Sequence, residues 1–263
     1  MGTGLEAISV LKEILKNQKW ESRVWPFPHT LVTNVFTRRA YENLESSFKQ
    51  ILALGLSEAE SPGRLARRIR DYDAYSLNFA HIGAATSLDV FSSSEWHDLV
   101  ARISGVDATG DVNAALHVHL PGSQSGTIHN DLNPGFFVDN PTLDGINVSD
   151  DRICNYRTGN GRGSARETIR AAAMIFYLGN DHWHPGDGGE TGLYDDGLAS
   201  IEHPKVAVPP VNNSLLIFEC TPYSFHSFIS NRKTRNSVIL WLHRPKSTVV
   251  KRWGENSIVY WGS

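Results

Sequence analysis

From about Val112 onward the chain breaks into short apolar or alternating runs: "VNAALHVHL", "AAAMIFYL", "KVAVPP", "NSLLIFE" and "NSVILWLH". Each is closed off by Gly, Pro or Asn. Runs of this length and bounding fit strands, whose side chains alternate between two faces. Several such strands must cover one another's apolar faces, which narrows the architecture to a β-sandwich or barrel. The first hundred residues read differently. Leu5, Ile8, Leu11 and Ile14/Leu15, then Tyr41, Leu44, Phe48 and Ile51/Leu52, recur at helical steps. "SSSEWHDLVARISG" predicts a further helix, with Ser92 and Glu95 as a capping box, Trp96, Leu99, Val100 and Ile103 as its buried stripe and Gly105 as its stop. The expected fold is mainly β, buttressed by N-terminal helices.

With 263 residues, 40% of them hydrophobic, the chain can bury one generous core, so a single domain over 1–263 is expected. Within it, 1–110 read as helical support and substrate-side elements, 111–245 as the β core and 246–263 as a C-terminal tail. A net charge of −3 and a pI near 6.4 create no field that would gather nucleic acid or an anionic membrane. No apolar run is long enough to span a bilayer, and the N-terminus carries acidic residues, unlike a signal peptide. These features predict a cytoplasmic protein without a nucleic-acid or membrane partner. Cys154 and Cys220 lack CxxC spacing and read as ordinary thiols. Roughly forty residues between Asp131 and Ala171, including "TGNGRGSAR", show weak periodicity. They fit either a lid over a site or a disordered insertion.

Chemistry is concentrated in two segments. "TIHNDLNPG" sets His129 and Asp131 one residue apart, and "TPYSFHSFISNRKTRNSVILWLHR" supplies His226 and, nine residues later, Arg235 in an R-x-S pattern with Ser237. Alone, His129 reads as a hydrogen-bonded histidine and Asp131 as a turn former. Together with His226 they make two imidazoles and one carboxylate, the facial triad that leaves coordination positions open on a non-haem Fe(II). Arg235 offers a rigid two-pronged donor for a carboxylate, and Ser237 shares its strand face. Arg232 is the rival for that role, but it sits in a polar turn. His182, His184 and His203 fall in hairpin or loop contexts and are not needed for the triad. "GGETG" lacks the strand-to-helix setting of a phosphate loop and reads as a hairpin.

The order HxD, distant His, RxS resembles the Fe(II)- and 2-oxoglutarate-dependent dioxygenases, in their prolyl-hydroxylase-like branch. "HLPGSQSGTIHND" is similar to that branch's strand and Gly turn before the first ligand, with His119 where a tyrosine is common. "MIFYLGNDHWHPGDGGETGLY" resembles its strand and following hairpin, and "WPFPHTLVTNVFTRRAYENL" its entry strand and helix, so the likeness covers residues 25–245. The resemblance implies a double-stranded β-helix, the jelly roll of cupin-like proteins. It implies Fe(II) on His129, Asp131 and His226, with 2-oxoglutarate as cosubstrate and O2 as oxidant. Decarboxylation of the cosubstrate to succinate then drives oxidation of a C–H bond. The far carboxylate of 2-oxoglutarate would meet Arg235 and Ser237, with His119 and Tyr177 as either cosubstrate contacts or core residues. A carboxylate at Asp131 argues for hydroxylation, since related halogenases carry a small residue there.

Substrate contacts are expected from Tyr75, Asn133, Arg157 and Trp241. Tyr75 closes "GRLARRIRDYDAY", where Arg64, Arg67, Arg68 and Arg70 abut Asp71, Tyr72 and Asp73: either a solvated helix face or a grip for a zwitterion. Trp241 shares the strand face of Ser237 and walls the pocket or packs in the core. The expected substrate is a free amino acid or an amino-acid-derived metabolite. Alternatives are a peptidyl residue or, without catalysis, a metal- or acid-binding jelly-roll module. A homodimer is compatible with all of these.

Overall fold

The computed structural model describes residues 9–17, 19–67, 73–83 and 85–261. Helix α1 (Ser9–Ile14) leads into strands β1 (Glu21–Arg23) and β2 (His29–Thr33), helix α2 (Arg38–Ala53), strand β3 (Tyr75–Asn78) and helix α3 (Ser94–Ser104). The strands β4 (Asp111–His119), β5 (His129–Asn130), β6 (Pro134–Phe137), β7 (Asn147–Val148) and β8 (Arg166–Tyr177) follow. After them come β9 (Thr191–Tyr194), β10 (Val206–Val208), β11 (Ser214–Glu219), β12 (Phe225–Phe228) and β13 (Arg235–Pro245), then helix α4 (Lys246–Trp253).

The strands form the two sheets of a jelly roll. The larger has the order β1-β2-β11-β8-β13-β4-β3, with β6 added on β8 and β7 on β4; the smaller runs β10-β9-β12-β5. Alternation along the strands sorts the core into two layers. Val238, Leu240 and Leu242 of β13, with Ala172, Met174 and Phe176 of β8, pack outward onto Leu44 and Phe48 of α2 and Trp96 and Val100 of α3. Their neighbours Ile239, Ala173 and Ile175 face inward with Leu193, Leu216 and Phe218. Because Arg235 and Trp241 lie in step with Ile239, both are delivered to the inner face.

Several expectations need correction. The N-terminal hundred residues are not merely helical support, since β2 pairs with β11 and β3 with β4 inside the large sheet. The cap of α3 is Ser93, whose hydroxyl accepts from Trp96 N at 3.3 Å, whereas the Ser92 hydroxyl donates to the Asp89 carbonyl. The shift arises because residues 87–92 form a 3-10 turn of their own, capped by Thr86 in a capping box with Asp89. Gly105 does end α3, at φ 69°. Arg64 and Arg67 are not on a helix: Ala66 bridges Ser57 and Ser76, and Arg67 pairs with Asp73 at 2.8 Å. Arg68, Arg70, Asp71 and Tyr72 lie outside the described residues, as do Leu5 and Ile8.

The long segment after Asp131 is built structure. Strand β6 pairs with β8, β7 pairs in parallel with β4, and a turn between β7 and β8 buries Tyr156. Gly135 in β6 is required by packing, because a Cβ there would lie 2.5 Å from Tyr156 and 2.6 Å from His243. The C-terminal stretch is no loose tail either. After α4 it returns to the barrel, where Val259 N donates to the Leu132 carbonyl at 3.0 Å and Trp261 Nε1 to the Pro134 carbonyl at 2.8 Å.

Candidate metal centre and cosubstrate pocket

Strand pairing explains how residues 97 positions apart in sequence converge. In the antiparallel pair β5–β12, His129 stands directly opposite His226. Asp131 follows at once, where Leu132 N turns back to the Asn130 carbonyl at 2.9 Å and ends the strand. Among the described residues, His129, Asp131 and His226 are the one group of three potential metal ligands, with ligand atoms all within 4.8 Å. Asp131 Oδ1 lies 3.7 Å from His129 Nε2, and Oδ2 lies 3.3 Å from His226 Nε2.

Both imidazoles are held in the same way. His129 Nδ1 meets the Thr127 carbonyl at 2.8 Å, and His226 Nδ1 meets the Ser224 carbonyl at 3.0 Å. A carbonyl can only accept, so each Nδ1 carries a proton and each Nε2 is the nitrogen left to face Asp131. That is the tautomer a metal requires. Burial and the neighbouring His226 lower the His129 pKa even though 46% of its side chain is exposed at the cavity mouth. Burial alone would raise the Asp131 carboxyl, but Arg170, His226 and His129 hold it well below the usual carboxylate range. The group is thus two imidazole nitrogens and one carboxylate, a donor set that fits Fe(II).

Asp131 is braced by two residues. Arg170 Nη1 donates to Oδ1 at 2.5 Å and Trp241 Nε1 to Oδ2 at 2.7 Å, while the Arg170 guanidinium stacks 3.7 Å over the Trp241 ring. Arg170 Nε donates to the Tyr156 hydroxyl at 3.0 Å, and that hydroxyl meets His243 Nε2 at 3.0 Å. Burial pushes the Tyr156 phenol up to about 12 and the His243 imidazole down to about 3, so both are neutral. His243 Nδ1 then meets Thr168 Oγ1 at 3.0 Å, which completes a relay of neutral groups behind the Arg170–Asp131 pair.

The triad stands at one end of a cavity of about 620 Å³ whose other end carries Arg235 and Thr191, with Ala173, Ile175, Ile239 and Phe228 as apolar wall. Arg235 Nε donates to the Gly189 carbonyl at 2.9 Å and Nη2 to Thr191 Oγ1 at 3.1 Å. Among the described residues, no carboxylate pairs with this buried guanidinium. Gly188, at φ 73°, lets the "GGETG" turn approach the Ser230 carbonyl, which any Cβ would strike. Arg232, the rival, is exposed and does not line the cavity.

Ser237, His119 and Tyr177 are buried behind Arg235. Its Nη1 lies 3.4 Å from Ser237 Oγ and 3.5 Å from His119 Nδ1, and Nη2 lies 3.5 Å from Tyr177 Oη. His119 stacks on Phe228 with centroids 4.0 Å apart, and Tyr177 Oη bonds Thr191 Oγ1 at 2.7 Å. None of the three lines the cavity, so the structure places them as supports of the guanidinium.

A second cavity of about 470 Å³ adjoins the first, and the two share His117, Arg157, Arg170 and Trp241. Of the expected substrate contacts, Asn133, Arg157 and Trp241 line these cavities, and Tyr75 does not. Tyr75 points into the helix-side core, with its hydroxyl on Glu58, and its neighbour Ser76 takes the cavity face instead. Asn133 is held by its Nδ2 on the Val259 carbonyl at 2.7 Å.

Sequence reasoning missed Arg170, Thr191, Tyr156 and Trp261. Arg170 had a signal, since a lone Arg opening the run "RAAAMIFYL" must find a partner once that strand is buried. Tyr156 and Trp261 sit in a turn and near the chain end, where no pattern announces burial. Cys154 and Cys220 are buried free thiols. No helix among the described residues is long and apolar enough to cross a membrane.

Residues 155–243 match the sequence profile of the 2OG-Fe(II) oxygenase superfamily, a span that contains His226, Arg235 and Ser237 and begins after His129 and Asp131. Among solved structures, a prolyl-4-hydroxylase from Pseudomonas putida matches with a TM-score of 0.53 and 17% identity, over 82% of this chain and 92% of that one. A prolyl hydroxylase from Trichoplax adhaerens, in complex with a hypoxia inducible factor oxygen degradation domain peptide fragment, gives 0.53 and 16%, over 82% and 83%. The carbocyclase SnoK from nogalamycin biosynthesis gives 0.50 and 10%, over 82% and 79%. At these identities the likeness is one of fold. No curated protein matches the chain in sequence.

Proposed function

With residues 155–243 matching the 2OG-Fe(II) oxygenase superfamily, the chain is a 2-oxoglutarate-dependent dioxygenase, and we propose that it hydroxylates an unactivated C–H bond of a free amino acid or an amino-acid-derived small metabolite. The observation that carries this reading is the polarity of one cavity: a nitrogen–nitrogen–carboxylate triad at one end and a buried guanidinium without a carboxylate partner among the described residues at the other. A dicarboxylic 2-oxo acid satisfies both ends at once.

His129 Nε2, His226 Nε2 and Asp131 would hold Fe(II), whose chemistry is to activate O2 at the expense of 2-oxoglutarate. Arg235 binds the far carboxylate of 2-oxoglutarate, with the Thr191 hydroxyl beside it and Ser237, His119 and Tyr177 fixing the guanidinium. Arg170 and Trp241 keep Asp131 ionised and in one orientation, so the metal is not left to a mobile ligand. Ala173, Ile175, Ile239 and Phe228 keep water from the cosubstrate between the two polar ends. The adjoining cavity of about 470 Å³ suits a metabolite-sized substrate.

Anaerobic titration of the metal-free protein with Fe(II) and 2-oxoglutarate is the test. A visible metal-to-ligand charge-transfer band, absent in His226→Ala, is the expected result. If wild type binds the pair no better than a control protein does, the triad does not hold iron and the reading fails.

A further inference from the structure

We propose that the substrate carries a free carboxylate and that Arg157, where the two cavities meet, is the residue that reads it. The inference rests on the oxygenase reading and adds the substrate's charge to it.

Four aromatic and cationic groups are stacked beside the metal centre. Trp241 lies 3.7 Å from the Arg170 guanidinium, which is 5.1 Å from the Trp261 ring, which in turn is 4.4 Å from the Arg157 guanidinium. The stack is fixed along its length. Trp241 donates to Asp131 at 2.7 Å, Trp261 to the Pro134 carbonyl at 2.8 Å, and the Arg157 main-chain N to Asn155 Oδ1 at 3.0 Å. The two guanidiniums differ in one respect. Asp131 neutralises Arg170, but no described carboxylate forms an ion pair with Arg157. Burial and Arg170 weigh against the charge on Arg157 and outweigh the favourable fields of Tyr156 and Asp151, so an anion docking there relieves a repulsion already built into the stack.

Charge counting points the same way. Fe(II) and doubly charged 2-oxoglutarate cancel each other, and so do Asp131 and Arg170; Arg235 and Arg157 remain positive among the groups lining the metal-side cavity. Arg235 is enclosed at the cosubstrate end, whereas Arg157 lines both cavities and faces the space a substrate must enter. A guanidinium placed over the Trp261 ring loses part of the freedom that usually makes a surface arginine a poor anchor, and its fork matches a carboxylate. Glu60 and Asp151 also line the second cavity. Asn113, also on that wall, bonds Ser149 Oγ through its Nδ2 at 2.6 Å, which fixes the amide among the polar groups there. The arrangement fits an amino acid with a free α-carboxylate, and it disfavours a residue inside a peptide, which has none.

The experiment measures succinate release by the Fe(II)-loaded enzyme with the twenty free proteinogenic amino acids and, in parallel, with their primary carboxamides. The charge-transfer band counts loaded sites in each variant. At least one acid should stimulate turnover over its carboxamide. Arg157→Gln should raise the half-saturating concentration of that acid by about 10- to 100-fold and remove the acid-over-amide preference, and Arg157→Lys should recover part of it. An acid preference that survives in Arg157→Gln overturns the role of Arg157. Stimulation by carboxamides alone, or by no acid while the band is present, overturns the substrate's charge. Absence of the band in wild type overturns the parent reading instead.

Discussion

Two buried arginines of the large sheet line the metal-side cavity, Arg170 on β8 with 6% of its surface exposed and Arg235 on β13 with 2%, and the protein treats them in opposite ways. Arg170 has a full counter-charge in Asp131 at 2.5 Å, a neutral phenol behind it and an indole over its face. Arg235 has a carbonyl, hydroxyls and an imidazole, and no described carboxylate. Burying a charge without a counter-ion is expensive, and a fold pays it only where a ligand later supplies the missing charge. The difference separates a guanidinium that finishes the metal site from one that awaits a cosubstrate.

Breaking the Arg170 side of this comparison should have the largest effect. Arg170→Met leaves the Asp131 carboxylate buried with only an indole donor, and removing one partner of a buried ion pair costs about 3–5 kcal/mol. Urea unfolding of the metal-free protein should show that loss. Saturating Mn(II) should restore more stability to the variant than to wild type, because the ion then replaces the missing positive charge. A loss below ~1 kcal/mol would mean that Asp131 does not depend on Arg170.

The contrast between these arginines was only half legible in the sequence. Arg235 could be found because strand alternation ties it to Ser237 and Trp241, and because RxS follows the second histidine at a fixed distance. Strands β4, β8, β10, β11 and β13 were legible for the same reason, their apolar runs being bounded by turn residues. Arg170 was hidden because its significance lies in a partner 39 positions away, which becomes a neighbour only once β6 pairs with β8 and carries Asp131 alongside. Tyr156 and Trp261 were hidden more deeply. They reach the site from a turn and from the chain end, where position depends on tertiary packing and not on a repeat. Tyr75 erred in the other direction: a β-strand residue adjacent to a cavity residue necessarily faces away from it.

Arg235→Met sharpens the other side. Since the guanidinium has no described ion partner, its loss should change the stability of the metal- and cosubstrate-free protein by less than ~1 kcal/mol, in contrast to Arg170→Met. The effect should appear when 2-oxoglutarate is added. Losing a charge-assisted pair worth about 2–3 kcal/mol raises the concentration needed for half-maximal band formation by roughly 30- to 150-fold. An unchanged requirement would transfer the role to another cation. A large loss of stability without ligand would show that Arg235 is structural and erase the contrast.

Trp241→Phe isolates the smallest contribution, the indole N–H that shares Asp131 with Arg170. The ring that stacks on the guanidinium is retained, so the ion pair and its platform survive and only the 2.7 Å donor to Oδ2 is lost. Oδ2 borders the cavity, where water can take the vacated place, and the cost should be about 1–1.5 kcal/mol, seen as roughly tenfold weaker Mn(II) binding. Arg170 alone should then hold the carboxylate ionised. If Trp241→Phe proves as damaging as Arg170→Met, the indole rather than the guanidinium sets the geometry of Asp131, and the two buried arginines differ less than their partners suggest.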